Sequence, residues 1–167
     1  TVQYQTSGSI DIGGPVTIDA THGAFAIDGA LDLNAPETTP NALGGANIAG
    51  SGLMRVAGRM NVTANSVLAP RLEVEGAVQI DPFRILSVNG SANVGSTGAI
   101  RLDGSRLRGQ DVTNHGTVSG SGFVELDGLF SNEGTISAGP AGLSFDGAGN
   151  IDLDGAGGTG VLNAIDG

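Results

Sequence analysis

The sequence predicts an all-β chain wound as a parallel β-helix, a β-solenoid of about eight rungs forming one unit over residues 1–167. Three observations predict it. A five-residue phrase (apolar, any residue, apolar, acidic or amide, glycine) returns along the chain. A second phrase recurs 18 residues apart, as Asn114-His115-Gly116-Thr117-Val118-Ser119 and Asn132-Glu133-Gly134-Thr135-Ile136-Ser137. The composition is that of a narrow aliphatic core: 30 glycines, aromatics at 4%, no Trp and one Tyr.

The phrase opens at Phe25-Ala26-Ile27-Asp28-Gly29, and its alternation resumes at Leu31 and Leu33. Period-two alternation sends such residues to one buried face and their neighbours outward. Residues 34–45 break the pattern with Pro36 and Pro40 and read as a loop leaving the coil. A weaker copy ends at Gly58, before Met60 and Val62. Clear copies follow at Leu72-Glu73-Val74-Glu75-Gly76, Leu86-Ser87-Val88-Asn89-Gly90, Ile100-Arg101-Leu102-Asp103-Gly104 and Val124-Glu125-Leu126-Asp127-Gly128. The last are Leu143-Ser144-Phe145-Asp146-Gly147 and Ile151-Asp152-Leu153-Asp154-Gly155. Each unit reads as two short strands hinged at glycine, which takes positive φ without a Cβ clash. Asp-Gly between alternating apolar residues is also a hairpin signal, so an antiparallel meander, sandwich or barrel is the alternative. Strands with only two inward residues, and corner chemistry shared between units, favour the solenoid.

The Asn-x-Gly-Thr-apolar corner, with a fainter copy at Ser96-Thr97-Gly98-Ala99-Ile100, resembles the β-helical repeats of filamentous-haemagglutinin-type adhesins and autotransporter passenger domains. The resemblance covers roughly residues 84–155 and implies a right-handed coil. It also implies a structural or adhesive role outside a bacterial cell, as a stalk, adhesin or self-associating fibre subunit. The first third of the chain departs from the pattern. The chain opens in a strand-like run at Thr1-Val2-Gln3-Tyr4 and closes on Asp166-Gly167, so it reads as a segment of a longer protein.

Composition removes several chemistries. Without Cys there is no disulfide, thiol nucleophile or thiolate metal site, and without Lys no Schiff base or phosphate-loop lysine. The net charge of −10 is spread as −5 over residues 1–54, +3 over 55–108 and −8 over 109–167. All seven arginines lie in the middle block. Nucleic acid demands a basic stripe that such a chain lacks, and no apolar run of about 18 residues is present to cross a bilayer. The expected partners are flanking repeats or a second copy stacked end to end, with acidic ends meeting the arginine belt. A cell-surface or glycan receptor is left open. The contact candidates are Arg55, Arg59, Arg101, Arg106 and Arg108, with Pro36, Glu37 and Pro40 on the loop.

The candidate metal ligands are the corner aspartates Asp103, Asp127, Asp146 and Asp154. Stacked about 5 Å apart they would repel one another, and calcium would neutralise them. Solvated turn aspartates are the favoured reading, and no cofactor is expected. His115 occupies the place that Glu133 fills one repeat later, as suits an exposed corner; His22 lies in a turn with Gly23. Glu73 and Glu75 point outward together, whereas a glycosidase needs carboxyls facing across a cleft. No catalytic residue is therefore assigned. Carbohydrate-binding or carbohydrate-processing and calcium-stabilised modules are the alternatives. Asn61-Val62-Thr63 and Asn89-Gly90-Ser91 match glycosylation sequons but are short enough to arise by chance.

Overall fold

The computed structural model describes residues 9–14, 16–18, 25–147, 149–153 and 161–163. Every strand pair among the described residues is parallel, which removes the meander alternative. The strands form two sheets, of eight and twelve strands. Successive rungs are offset by 17 to 26 residues, as Arg106 on Phe123 and Thr135 on Val161 illustrate at the extremes.

Each rung visits three faces rather than the two strands expected. The first face is the eight-stranded sheet: Ser9–Ile12, Ala30–Leu33, Leu53–Val56, Arg71–Val74, Ala92–Val94, Val112–Asn114, Phe130–Asn132 and Ile151–Asp152. The second face carries Thr17–Ile18, Asn41–Gly44, Arg59–Ala64 and Ala77–Ile80, and the third Phe25–Ala26, Asn47–Ala49, Ser66–Leu68 and Ile85–Val88. Above these, Ala99–Gly109, Thr117–Leu126 and Thr135–Gly147 run through both faces, and with Val161–Asn163 paired on the last of them they complete the twelve-stranded sheet. Bulges between Asp103 and Ser105 and between Gly120 and Gly122 bend those long strands around the corner. Seven strand spacings on the first face make a stack about 34 Å tall.

Stacking in register puts like on like in the core. The first face runs Leu31, Met54, Leu72, Ala92, Val112 and Phe130 in one inward column. The second runs Met60, Val78, Ile100, Val118 and Ile136; the third, Leu86, Leu107, Val124 and Phe145. All are buried except Phe145, which packs edge-on against Phe130 with ring centroids 4.8 Å apart. Burying each of the larger side chains in these columns, Ala92 apart, contributes roughly 1.5–3 kcal/mol. One column turns polar near the top: Asn114 and Asn132 follow Val94, and both are buried. Asn114 Nδ2 donates to Asn132 Oδ1 at 2.7 Å, and Asn132 Nδ2 donates to the carbonyls of Gly134 and Leu153. The two conserve the ladder by satisfying backbone carbonyls at the corner, where an aliphatic residue would leave them bare.

The corner between the first and second faces explains the repeated glycine. Gly58, Gly76, Gly98, Gly116 and Gly134 stack there, and Ala77, Ala99, Thr117 and Thr135 donate their amides to the carbonyl of the glycine one rung below. A Cβ on Gly76 would fall on the carbonyl oxygen of Gly58, and one on Gly134 on that of Gly116. None of the five has positive φ. The expected reason for the glycines was conformational; the reason found here is close approach of backbones. Among the described phrase glycines only Gly104 and Gly147 have positive φ. The phrase also marks all three corners: Gly76 ends a first-face strand, Gly104 sits in the bend between second and third faces, and Gly90 and Gly128 follow third-face strands.

The loop expected at residues 34–45 is shorter. Residues 34–40 leave the coil, closed by Thr39 N donating to Pro36 O at 3.1 Å, but Asn41–Gly44 is a strand between Thr17–Ile18 and Arg59–Ala64. Its inward pair is Asn41 and Leu43, both buried. The polar residue at an inward position hid the alternation, and Asn41 is tolerated because its Oδ1 accepts the Val16 amide at 3.0 Å.

Gly76→Ala should destabilise the coil by about 3 kcal/mol, because backbone has to move on both sides of the new methyl. Gly104→Ala, at a corner with open space but a φ of 63°, should cost about 1 kcal/mol, in line with left-handed backbone alone. Urea denaturation of the two variants measures the difference; equal losses would remove the close-approach explanation.

Candidate functional site

The outward rows carry the charged and aromatic side chains, and the register decides which of them meet. On the first face Asp32, Arg55 and Glu73 stand in one row on successive rungs. Arg55 reaches down to Asp32 at 3.5 Å and up to Glu73 at 3.2 Å, with Glu75 3.8 Å away. The hydrogen bond that Arg55 donates to Glu73, helped by the charges of Asp32, Glu73 and Glu75 against some desolvation, holds its guanidinium above its ordinary pKa. The shift is upward from a value that already keeps arginine charged, so the stability it contributes is present below that value and lost only in strong alkali.

The third face has a second cluster. Arg106 and Arg108 on one rung both pair with Glu125 on the next, and Arg106 also lies over the Phe123 ring, 4.8 Å from its centroid. Phe123 is half exposed, and at the corner just before this face Phe83 is 87% exposed. Phe83 is held at φ 61° in a turn where Arg84 N donates to Asp81 O and Phe83 N to Gly104 O. Left-handed backbone is costly for a bulky residue, and its ring gains no burial in return.

Among the other contact candidates, Arg59 lies on the second face, where it donates to Asn61 Oδ1 at 3.4 Å, and Arg101 is exposed on the same face. Pro36 and Glu37 are exposed and Pro40 half-buried on the short loop. With Thr97 the first two flank an open groove of about 400 Å³ floored by Ala57, Gly58, Gly76 and Ala77. The arginines are thus divided among the three faces, and Arg55, Arg106 and Arg108 are already engaged by carboxylates of their own chain.

The aspartates do not stack at one corner. Asp103 pairs with Ser121 just before the bulge. Asp127 follows Leu126, its amide bonded to Gly109 O, and Asp146 stands in register with Glu125. The phrase visits three corners in turn, so its aspartates are distributed with it. Asp127 and Asp146 do share an open depression of about 480 Å³ with Arg108 and Glu125. Among the described residues no group of three or more His, Asp or Glu side chains is placed to hold a metal ion. Asp154 and His22 lie outside the described residues. His115 Nδ1 is 3.1 Å from Glu133 Oε2, so the two residues that exchange places in the repeat touch across one rung on a half-exposed corner.

Comparison with protein-family models, with curated proteins and with solved structures found no match.

Arg55→Met should destabilise the coil by up to about 1 kcal/mol at low ionic strength, and the loss should shrink in high salt, because the cluster is partly exposed. Thermal melts of both proteins across a salt series measure it. A loss independent of salt would assign Arg55 a packing role instead.

Proposed function

We propose that this chain is a structural or adhesive β-solenoid segment of a secreted or cell-surface bacterial protein, working as a rigid stalk, adhesin or self-associating fibre subunit. The observation that carries this reading is the parallel ladder that runs from rung to rung over an aliphatic core, closed at its corners by backbone-on-backbone contact. Such a stack resists bending, because bending must stretch inter-rung hydrogen bonds on one side while compressing close-packed corners on the other. The corner motifs resembling adhesin and passenger-domain repeats support a surface location. The chemistry on the outer rows favours contact over catalysis: its carboxylates are ion-paired or spread along strands, and His115 faces Glu133 on an open corner.

Stretching single molecules end to end tests the mechanical role. Rung-by-rung release of 17 to 26 residues should lengthen the chain in steps of about 55–95 Å. Smooth extension at low force would overturn the spacer reading. Antibody labelling of intact source cells tests the location; labelling only after lysis would overturn it.

The adhesive and self-associating arm draws support from the third face, where Phe83, Ile85, Arg106 and Phe123 form an aromatic and arginine strip over successive rungs. Such side chains dominate protein contacts. Phe83→Asn, which tolerates left-handed backbone, should leave the melting temperature unchanged or higher. It should weaken any concentration-dependent association seen by sedimentation about tenfold. Association unaffected by the substitution would remove this strip from the interface.

A further inference from the structure

The corner at residues 89–91 differs chemically from the other corners. Asn89-Gly90 is the only Asn-Gly pair in the sequence. Several corner amides are committed to the rung below: Gly58 N donates to Leu33 O, Gly76 N to Val56 O and Gly128 N to Gln110 O. Gly90 N makes no hydrogen bond among the described residues, whereas Asn89 N is anchored on Leu68 O at 2.7 Å. The Asn89 side chain is exposed and likewise without a partner among the described residues. It lines an open depression of about 250 Å³, together with Ser87, Arg108, Gln110 and Asp127, so water reaches it freely.

We infer that Asn89 is a site of spontaneous succinimide formation, a modification that turns this one corner from amide to carboxylate as the protein ages. The Gly90 nitrogen gives up its proton to solvent base and attacks Asn89 Cγ. A new C–N bond closes a five-membered ring, and the side-chain amide nitrogen leaves as ammonia. One water then opens the ring at either carbonyl and leaves aspartate or isoaspartate; no other reactant is consumed. Glycine matters because it offers the attacking nitrogen no side-chain obstruction, and the free amide matters because a bonded one would have to break from the ladder first.

Several other candidates for this chemistry are held back by burial, by bonding or by the residue that follows them. The amides of Asn114 and Asn132 are buried in their ladder, and Asn61 and Asn93 precede Val62 and Val94, whose branched side chains crowd the attack. At Asp127-Gly128 the glycine nitrogen is bonded to Gln110 O. The product places a new negative charge in the depression that holds Arg108 and Asp127. In the isoaspartyl form it also adds a methylene to the backbone of a corner that stacks on Pro70, whose oxygen lies 3.0 Å from where a Gly90 Cβ would be.

The test is to incubate the folded chain in mildly alkaline buffer and follow each Asn-containing peptide by mass spectrometry, with isoaspartyl methyltransferase labelling of the product. Conversion of Asn89 ahead of every other asparagine, and its loss in Asn89→Gln, whose longer side chain disfavours the ring, is the expected result. The converted protein should separate on anion exchange as a species one charge more acidic. Conversion confined to denatured chain, with Asn89 intact in the folded protein, would overturn the inference, as would faster conversion at another asparagine.

Discussion

The parallel hydrogen-bond ladder between rungs is the constraint on which the rest of this structure depends. Because each strand pairs in register with its equivalent one rung away, every residue stands on the residue that fills its own place in the previous turn. That rule turns single positions into columns. An inward column stays apolar, as Met60, Val78, Ile100, Val118 and Ile136 do, and where the first-face column admits Ala92 and Phe130 it is size and not polarity that varies. A corner column must remain free of Cβ atoms where carbonyls stack, as Gly58, Gly76, Gly98, Gly116 and Gly134 do. The Asn114–Asn132 pair obeys the same rule by another means: a polar residue is admitted to the core once its neighbour in the column can bond it.

The period and the direction of the fold were legible in the sequence because both are properties of columns. Thr117-Val118-Ser119 and Thr135-Ile136-Ser137 are similar because they are stacked, and the 18-residue separation is one turn. The number of faces was not legible. The phrase ending in glycine marks any corner, so copies at Gly76 and Gly90 belong to one turn although they look like successive repeats. Asn41–Gly44 was hidden by the asparagine at an inward position next to a proline-containing loop. Its partner, the Val16 amide, is 25 residues away, and no local pattern reports it.

Ion pairs were the least legible part of the candidate surface, although in retrospect they follow the same period. Asp32 and Arg55 are 23 residues apart, Arg55 and Glu73 18, and Arg106 and Glu125 19, each about one turn. Opposite charges at that separation face one another only if the rung offset is known to a residue, and the offset varies along the chain. Composition counted seven arginines in a basic middle block; register shows that three of them answer acids above or below. The belt is therefore less basic than its composition, and its remaining character is set by Arg59, Arg71, Arg84 and Arg101 and by two outward phenylalanines.

This division between columns that cannot change and rows that can bears directly on function. Substitution in an outward row disturbs neither ladder nor core, so the outer surface is where a coil of this kind can acquire a specific contact at little cost in stability. Most of the surface here shows that economy, with small or polar residues in the rows and acids at the corners. Phe83 is the exception, since it accepts a left-handed backbone and full exposure together. Residues that merely fill a turn are not held that way; Gly or Asn would fit the same φ without strain. The ring stands beyond Gly104, at the corner that leads onto the strip of Ile85, Arg106 and Phe123, so the strained residue and the only aromatic and arginine stack of the described surface adjoin one another. Two independent departures from an otherwise plain surface thus meet at one edge of the coil, and neither the ladder nor the core calls for either of them.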